Sequence, residues 1–178
     1  MGISNAWLLL FAVTPWLVVL CRYDWRERRL PNFLTLGGAA CALVWRFGWS
    51  GLPFFLDGLF AALLCGAFLL IPFMLRAAGA GDVKMLFAVG SVAGLHSVPN
   101  LLVLVSIAGV IVAIFMQLNG LVDSSRLRHY VRCVFDWRYD RVAGRADLPP
   151  RDSERARIPF GVAIALGLWT LLLIQAIF

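Results

Sequence analysis

The chain has 178 residues, of which 61% are hydrophobic and 15% charged, and a mean hydropathy of +0.84; soluble domains are about half apolar and a quarter charged. That composition excludes an ordinary water-soluble globule, and at about 20 apolar residues per bilayer-spanning helix the length holds roughly six or seven spans with no separate soluble domain. The net charge of +6 would suit nucleic acid in a soluble protein, but in a membrane chain Lys and Arg record which loops stay in the cytoplasm, and no nucleic-acid partner is expected.

Taken in chain order, apolar runs fall at roughly 5 to 21, 33 to 49, 54 to 75, 83 to 99, 101 to 121 and 158 to 178. The expected fold is an all-α polytopic membrane protein of six transmembrane helices, forming a single membrane-embedded domain over residues 1–178. The fourth run is the weakest, diluted by Gly90, Ser91, Gly94, His96 and Ser97, and only Pro99 and Asn100 separate it from the fifth. Before the first run there is no Lys or Arg, and no small-residue cleavage site follows it, so the segment is read as a retained span. No internal repeat is evident, and the inverted repeats of many transporters are not visible.

The basic residues orient this map. Arg22, Arg26, Arg28 and Arg29 follow the first run, Arg76 and Lys84 flank the connection after the third, and the remaining arginines except Arg46 lie between the fifth and sixth. With all sixteen basic residues but Arg46 on one side, that side is cytoplasmic and both termini face outward. Trp7, Trp45 and Trp49 then fall near the outer interface, where indoles are favoured. The long cytoplasmic basic loop, residues 122–157, holds Leu127, Tyr130, Val131, Val134, Phe135 and Trp137 on one helical face and Arg128, His129, Arg132 and Asp136 on the other. This reads as an amphipathic helix lying on the cytoplasmic leaflet, with anionic lipids as its partner, and Pro149 and Pro150 end it.

Ionisable groups beside hydrocarbon are costly and start as functional candidates. Asp24 follows the first span and Asp82 precedes the fourth, both at the cytoplasmic level, where folding could bring them together. Asp57 sits near the outer end of the third span, about 27 Å from its cytoplasmic end at 1.5 Å per residue, so it is assigned an interfacial or helix-starting role rather than a place in the site. Each member of the pair also has a plainer reading: Asp24 as a stop-transfer flank paired with nearby arginines, Asp82 as an N-cap after the flexible Gly79-Ala80-Gly81 turn.

Two carboxylates sharing a proton suit peptide hydrolysis, one taking a proton from water while the other donates to the scissile carbonyl oxygen. No metal or other cofactor is implied. Cys21, Cys41, Cys65 and Cys133 form no CxxC pair, His96 and His129 read as surface residues, and no HExxH spacing occurs.

Three separated features then stand together: Asp24 with Arg28-Arg29-Leu30-Pro31-Asn32, Gly79-Ala80-Gly81-Asp82-Val83-Lys84-Met85, and Ile158-Pro159-Phe160-Gly161 at the last span. In order, spacing and membrane side the combination resembles the type IV prepilin leader peptidases, membrane aspartic proteases of the GxGD class, and particularly the short forms serving tight-adherence pili. The resemblance implies that Asp24 and Asp82 are the catalytic pair, that Gly79 and Gly81 shape the second aspartate's loop, and that Lys84 is a supporting neighbour. Pro31, Asn32, Pro159, Phe160 and Gly161 are assigned structural support. It further implies a bacterial inner-membrane enzyme with its active site facing the cytoplasm, a prepilin substrate, and pilus assembly proteins as a further class of partner. The larger members carry a cysteine-rich methylation module; with no CxxC pair here, peptidase without methyltransferase activity is expected.

Two other readings stay open. Intramembrane proteases of the presenilin or signal-peptide-peptidase type also use Tyr-Asp and GxGD, matching Tyr23-Asp24, but place their aspartates on adjacent helices and carry a PAL tripeptide that is absent here. A small permease or assembly protein would use Asp57, Gln117 and Asn119 as polar contacts.

Overall fold

A computed structural model describes residues 3–27, 30–74, 78–120 and 159–177. The amphipathic segment expected within 122–157, together with His129 and Cys133, lies outside the described residues. The described residues form helices and turns, with no strand among them: α1 (Ile3–Glu27), α2 (Asn32–Met74), α3 (Ala80–Ala93), a 3-10 turn (Leu95–Ser97), α4 (Val98–Leu118) and α5 (Phe160–Ile177). Four stretches are long and apolar enough to cross a membrane: Trp7–Glu27, Asn32–Met74, Leu95–Leu118 and Phe160–Ile177. The chain divides into two compact units, Met1–Val110 with Pro159–Phe178 and Ile111–Ile158. Asp24 and Asp82 both belong to the first.

The 43 residues of α2 are not one rod. Ser50 and Gly51 leave helical geometry, with Gly51 at φ +71°, a conformation glycine adopts without a Cβ penalty. Beyond that break the chain turns back: the Phe47 and Phe55 rings lie 6.2 Å apart and Arg46 Nε donates to Phe54 O at 3.0 Å. A Cβ added at Gly58 would lie 2.5 Å from Arg46 Cδ, whereas twelve residues of straight helix would separate the two by about 18 Å. The two legs of α2 correspond to the second and third apolar runs.

Close helix contacts are made at small residues, as packing without a hydrophobic drive in lipid requires. Gly38 lies under the Trp16 indole, whose Nε1 donates to Leu34 O at 2.9 Å, joining α1 to the first leg of α2. The second leg runs antiparallel to α3, with Gly90 against Ala61 O and Cys65 and Gly66 against Phe87. α5 runs antiparallel to α4: Gly109 meets Phe160, Gly167 meets the Val105 backbone, and Gln175 Nε2 donates to Ser97 Oγ at 2.9 Å. Leu20, Met85, Leu86, Val89, Leu101, Ile164 and Leu168 fill the shared core.

One expectation changes here. The turn after α3 falls at Gly94–Ser97, not at Pro99 and Asn100: Gly94 takes φ +82° and ends α3, while Pro99 sits in the first turn of α4, where its missing N–H costs no helical bond. The fourth apolar run is therefore divided, and α3 has 14 residues. Arg46, counted as the lone basic residue on the outer side, is 1% exposed. It is ion-paired to Asp57, its Nη1 donates to Val92 O at 3.2 Å, and its guanidinium lies 3.8 Å over the Phe54 ring. Asp57 Oδ1 also accepts from Leu95 N at 3.3 Å. Asp57, expected in an interfacial or helix-starting role, ties the bend of α2 to the end of α3.

Candidate active site

Asp24 lies in the last turn of α1 and is 5% exposed, although the chain around it is polar and Arg22, Tyr23, Trp25, Arg26 and Glu27 are all exposed. It is buried because α5 begins against it. Pro159 and the glycine at 161 let the first turn of α5 come within contact of the carboxylate: Val162 N donates to Asp24 Oδ2 at 3.1 Å. A Cβ at Gly161 would lie 2.8 Å from Asp24 Oδ2, 3.0 Å from Asp24 Cγ and 3.1 Å from Met85 Sδ. The same N–H also points to Pro159 O at 3.2 Å, the shared bonding common at helix termini.

Asp82 stands three residues inside α3, not at its cap. The cap is Gly79, whose backbone N–H donates to Asp82 Oδ2 at 3.1 Å, while Asp82 N donates to Gly79 O at 3.1 Å. The carboxyl reaching back to the Gly79 N–H is the N3 half of a capping box, glycine having no side chain for the other half, and it holds the carboxyl over the glycine turn. Gly81 packs under Leu30, with 3.2 Å between the position of a Cβ and Leu30 Cβ; a side chain there would push the loop off the segment leading into α2. On the other side of the loop Lys84 Nζ donates to Asn32 Oδ1 at 2.9 Å, joining α3 to the first turn of α2. Pro31 opens that turn, its carbonyl accepting from Leu34 N and Thr35 N.

The two carboxylates are near enough to act on each other. Burial pushes the Asp82 carboxyl up from its ordinary 3.8 to about 6; the Gly79 N–H opposes the rise, and the negative charge of Asp24 adds to it. Met85, one turn beyond Asp82, and Asp24 both border the space a methyl at Gly161 would take, so the ends of α1, α3 and α5 converge there. Asp57 is elsewhere: it contacts the Gly94 end of α3, about 18 Å from Asp82 at 1.5 Å per residue. His96 is exposed in the 3-10 turn. Among the described residues no cluster of three His, Cys, Asp or Glu could hold a metal.

The residues at this convergence are legible in the sequence, but not all of their contacts are. The Val162 N–H on Asp24, Met85 beside Gly161 and Leu30 over Gly81 leave almost no mark in the sequence pattern. The only signal for the first was the glycine at 161, where a helix start next to a proline needs no glycine for its own sake.

The fold and site define a helical membrane protein with two interacting carboxylates at the ends of two helices, backed by the start of a third. A family model for the type IV leader peptidase family matches residues 11–114, more than half of the chain, and the chain belongs to that family. The matched span contains Asp24 and Asp82, while Pro159, Phe160 and Gly161 lie beyond it. Membership implies a protease. Comparison with curated proteins and with solved structures gave no match.

Proposed function

We infer that the chain is an aspartic endopeptidase that removes the basic leader from a type IV prepilin of the tight-adherence kind, at the cytoplasmic face of the bacterial inner membrane. The observation that supports this reading is that Asp24, at the end of α1, and Met85, one turn beyond Asp82 on α3, both border Gly161, with the Asp24 charge felt at the Asp82 carboxyl. The family match supports the protease class; the bend in α2, which gives that helix two legs, supports six passes with both termini outside.

In the proposed reaction Asp82, which holds its proton to higher pH, donates to the carbonyl oxygen of the scissile peptide as Asp24 takes a proton from water. The hydroxide adds to the carbonyl carbon and gives a tetrahedral diol. The diol collapses with cleavage of the C–N bond, the leaving amine takes the proton held on Asp24, and the diol hydroxyl returns a proton to Asp82. The products are a leader carboxylic acid, which then loses its proton to water, and a free pilin amine, and the pair is restored. Gly79 and Gly81 hold Asp82 over its turn, and Lys84 joined to Asn32 secures the loop. The site lies at the polar end of the helices, where water reaches it and an extended cleavage segment does not expose backbone groups to lipid. The reaction is cleavage alone, without methyl transfer.

The permease reading gains no specific contact: Asp57 is engaged by Arg46 and Leu95 N, and Asn119, in the turn after α4, donates through Nδ2 to Phe115 O. The test is incubation of the purified protein in lipid with a pilin precursor, and mass spectrometry of the products. A single cut between basic leader and apolar helix is expected. An intact precursor, with Asp57-dependent solute flux, would overturn the assignment.

A further inference from the structure

The first turn of α5 contributes no ionisable side chain, yet it touches the Asp24 carboxyl at two places: through the Val162 N–H at 3.1 Å and through the missing side chain of Gly161. An aspartate has one short stem, so a carboxyl gripped in this way has little freedom to shift. The grip joins groups 138 residues apart in the chain, and the same Val162 N–H is shared with the Pro159 carbonyl. Among the described residues, Cys21 and Asp82 feel the charge of Asp24, and α5 has no ionisable side chain.

We propose that Gly161 and the Val162 backbone are positioning residues of the catalytic pair: they set where the Asp24 carboxyl stands relative to Asp82, so that the rate of cleavage depends on the start of α5 although neither residue touches substrate. This rests on the reading of Asp24 and Asp82 as the catalytic pair. A methyl at Gly161 needs the room that Asp24 Oδ2 and Met85 Sδ occupy. Met85 is flexible and can turn aside; the carboxyl, being shorter, has to move with respect to its partner. A displacement on the order of 1 Å in a reacting group lowers the rate by about 100-fold. Val162→Pro removes the N–H in the first turn of a helix, where proline is tolerated, and the preceding glycine is the residue least restricted by it.

The experiment measures kcat and KM for leader removal, with thermal unfolding in the same lipid, for the wild type, Gly161→Ala, Val162→Pro and Gly167→Ala. Gly167 lies on the same helix and is packed as closely, its added Cβ 2.9 Å from the Val105 backbone, but it faces no carboxyl. Gly161→Ala and Val162→Pro are expected to lower kcat by about 10- to 100-fold at unchanged KM and unfolding temperature, whereas Gly167→Ala lowers the unfolding temperature and leaves kcat per folded molecule as it was. Wild-type kcat in both Gly161→Ala and Val162→Pro, or losses that only follow the amount of folded protein, would overturn the proposal. Asp24→Asn and Asp82→Asn separate the two levels: if they abolish cleavage while the α5 variants do not, the positioning role alone fails, and if they cleave normally, the catalytic pair itself fails.

Discussion

Removing either partner of the Arg46–Asp57 pair tests whether the far end of the bundle is structural. Arg46 is buried with its side chain 2% exposed, Asp57's is 38% exposed, and the guanidinium also donates to Phe54 O and Val92 O. Breaking a fully buried pair from one side costs about 3–5 kcal/mol. Here two carbonyls stay on the guanidinium and Asp57 is partly open to solvent, which screens it, so Asp57→Ala should cost less, about 1–3 kcal/mol. Arg46→Met leaves two carbonyls without their donor and costs about 2–4 kcal/mol. The double variant carries no stranded charge and should fall short of the sum by about 1–3 kcal/mol, as coupled neighbours do. Reversible unfolding in mixed micelles gives all three energies, and leader removal per folded molecule should remain at wild-type level in each. Strict additivity would show that the pair is not coupled; loss of cleavage without loss of stability would show that this cluster reaches the catalytic end, against the separation of about 18 Å along α3.

Two further outcomes concern the site itself. Because Asp82 holds its proton up to about 6 rather than 3.8, a cleavage step that needs that proton should be fully supported at lower pH and fade as pH rises through about 6, and a single-turnover pH profile unchanged from pH about 5 to 9 would contradict the acid role. For stability the same raised value has the opposite sense to a salt-bridged carboxylate: the folded state is disfavoured as pH rises from 3.8 towards 6. Asn32→Ala removes the acceptor of Lys84 in an exposed contact, worth about 0.2–1 kcal/mol; cleavage should fall a few-fold with little change in unfolding temperature, and a complete loss would give Lys84 a larger part than support.

Much of this was readable along the chain because the signals are local or cumulative. Apolar runs mark the helices, and a glycine turn followed by Asp82 marks a carboxyl at a helix start. What escaped depends on contacts between distant segments. Arg46 looked like an outer-side exception to the charge bias, since nothing local shows that the bend at Ser50 and Gly51 carries Asp57 and the Phe54 carbonyl onto it. The end of α3 was misplaced by several residues because proline drew the boundary, whereas Gly94 had the required positive φ and the space beside Asp57 that a Cβ would fill. Gly161 was identified as support, but its purpose is seen only when α5 is laid against α1.

The central claim, that Asp24 and Asp82 together hydrolyse the leader junction, is tested most directly by single-turnover cleavage of a pilin precursor by the wild type, Asp24→Asn and Asp82→Asn, each reconstituted in lipid and checked for folding. General acid and base each contribute about 100- to 10,000-fold. A loss in that range is expected for each single variant, with the double variant little worse than either because the pair acts as a unit. Leader removal at the wild-type rate by either variant would contradict the claim.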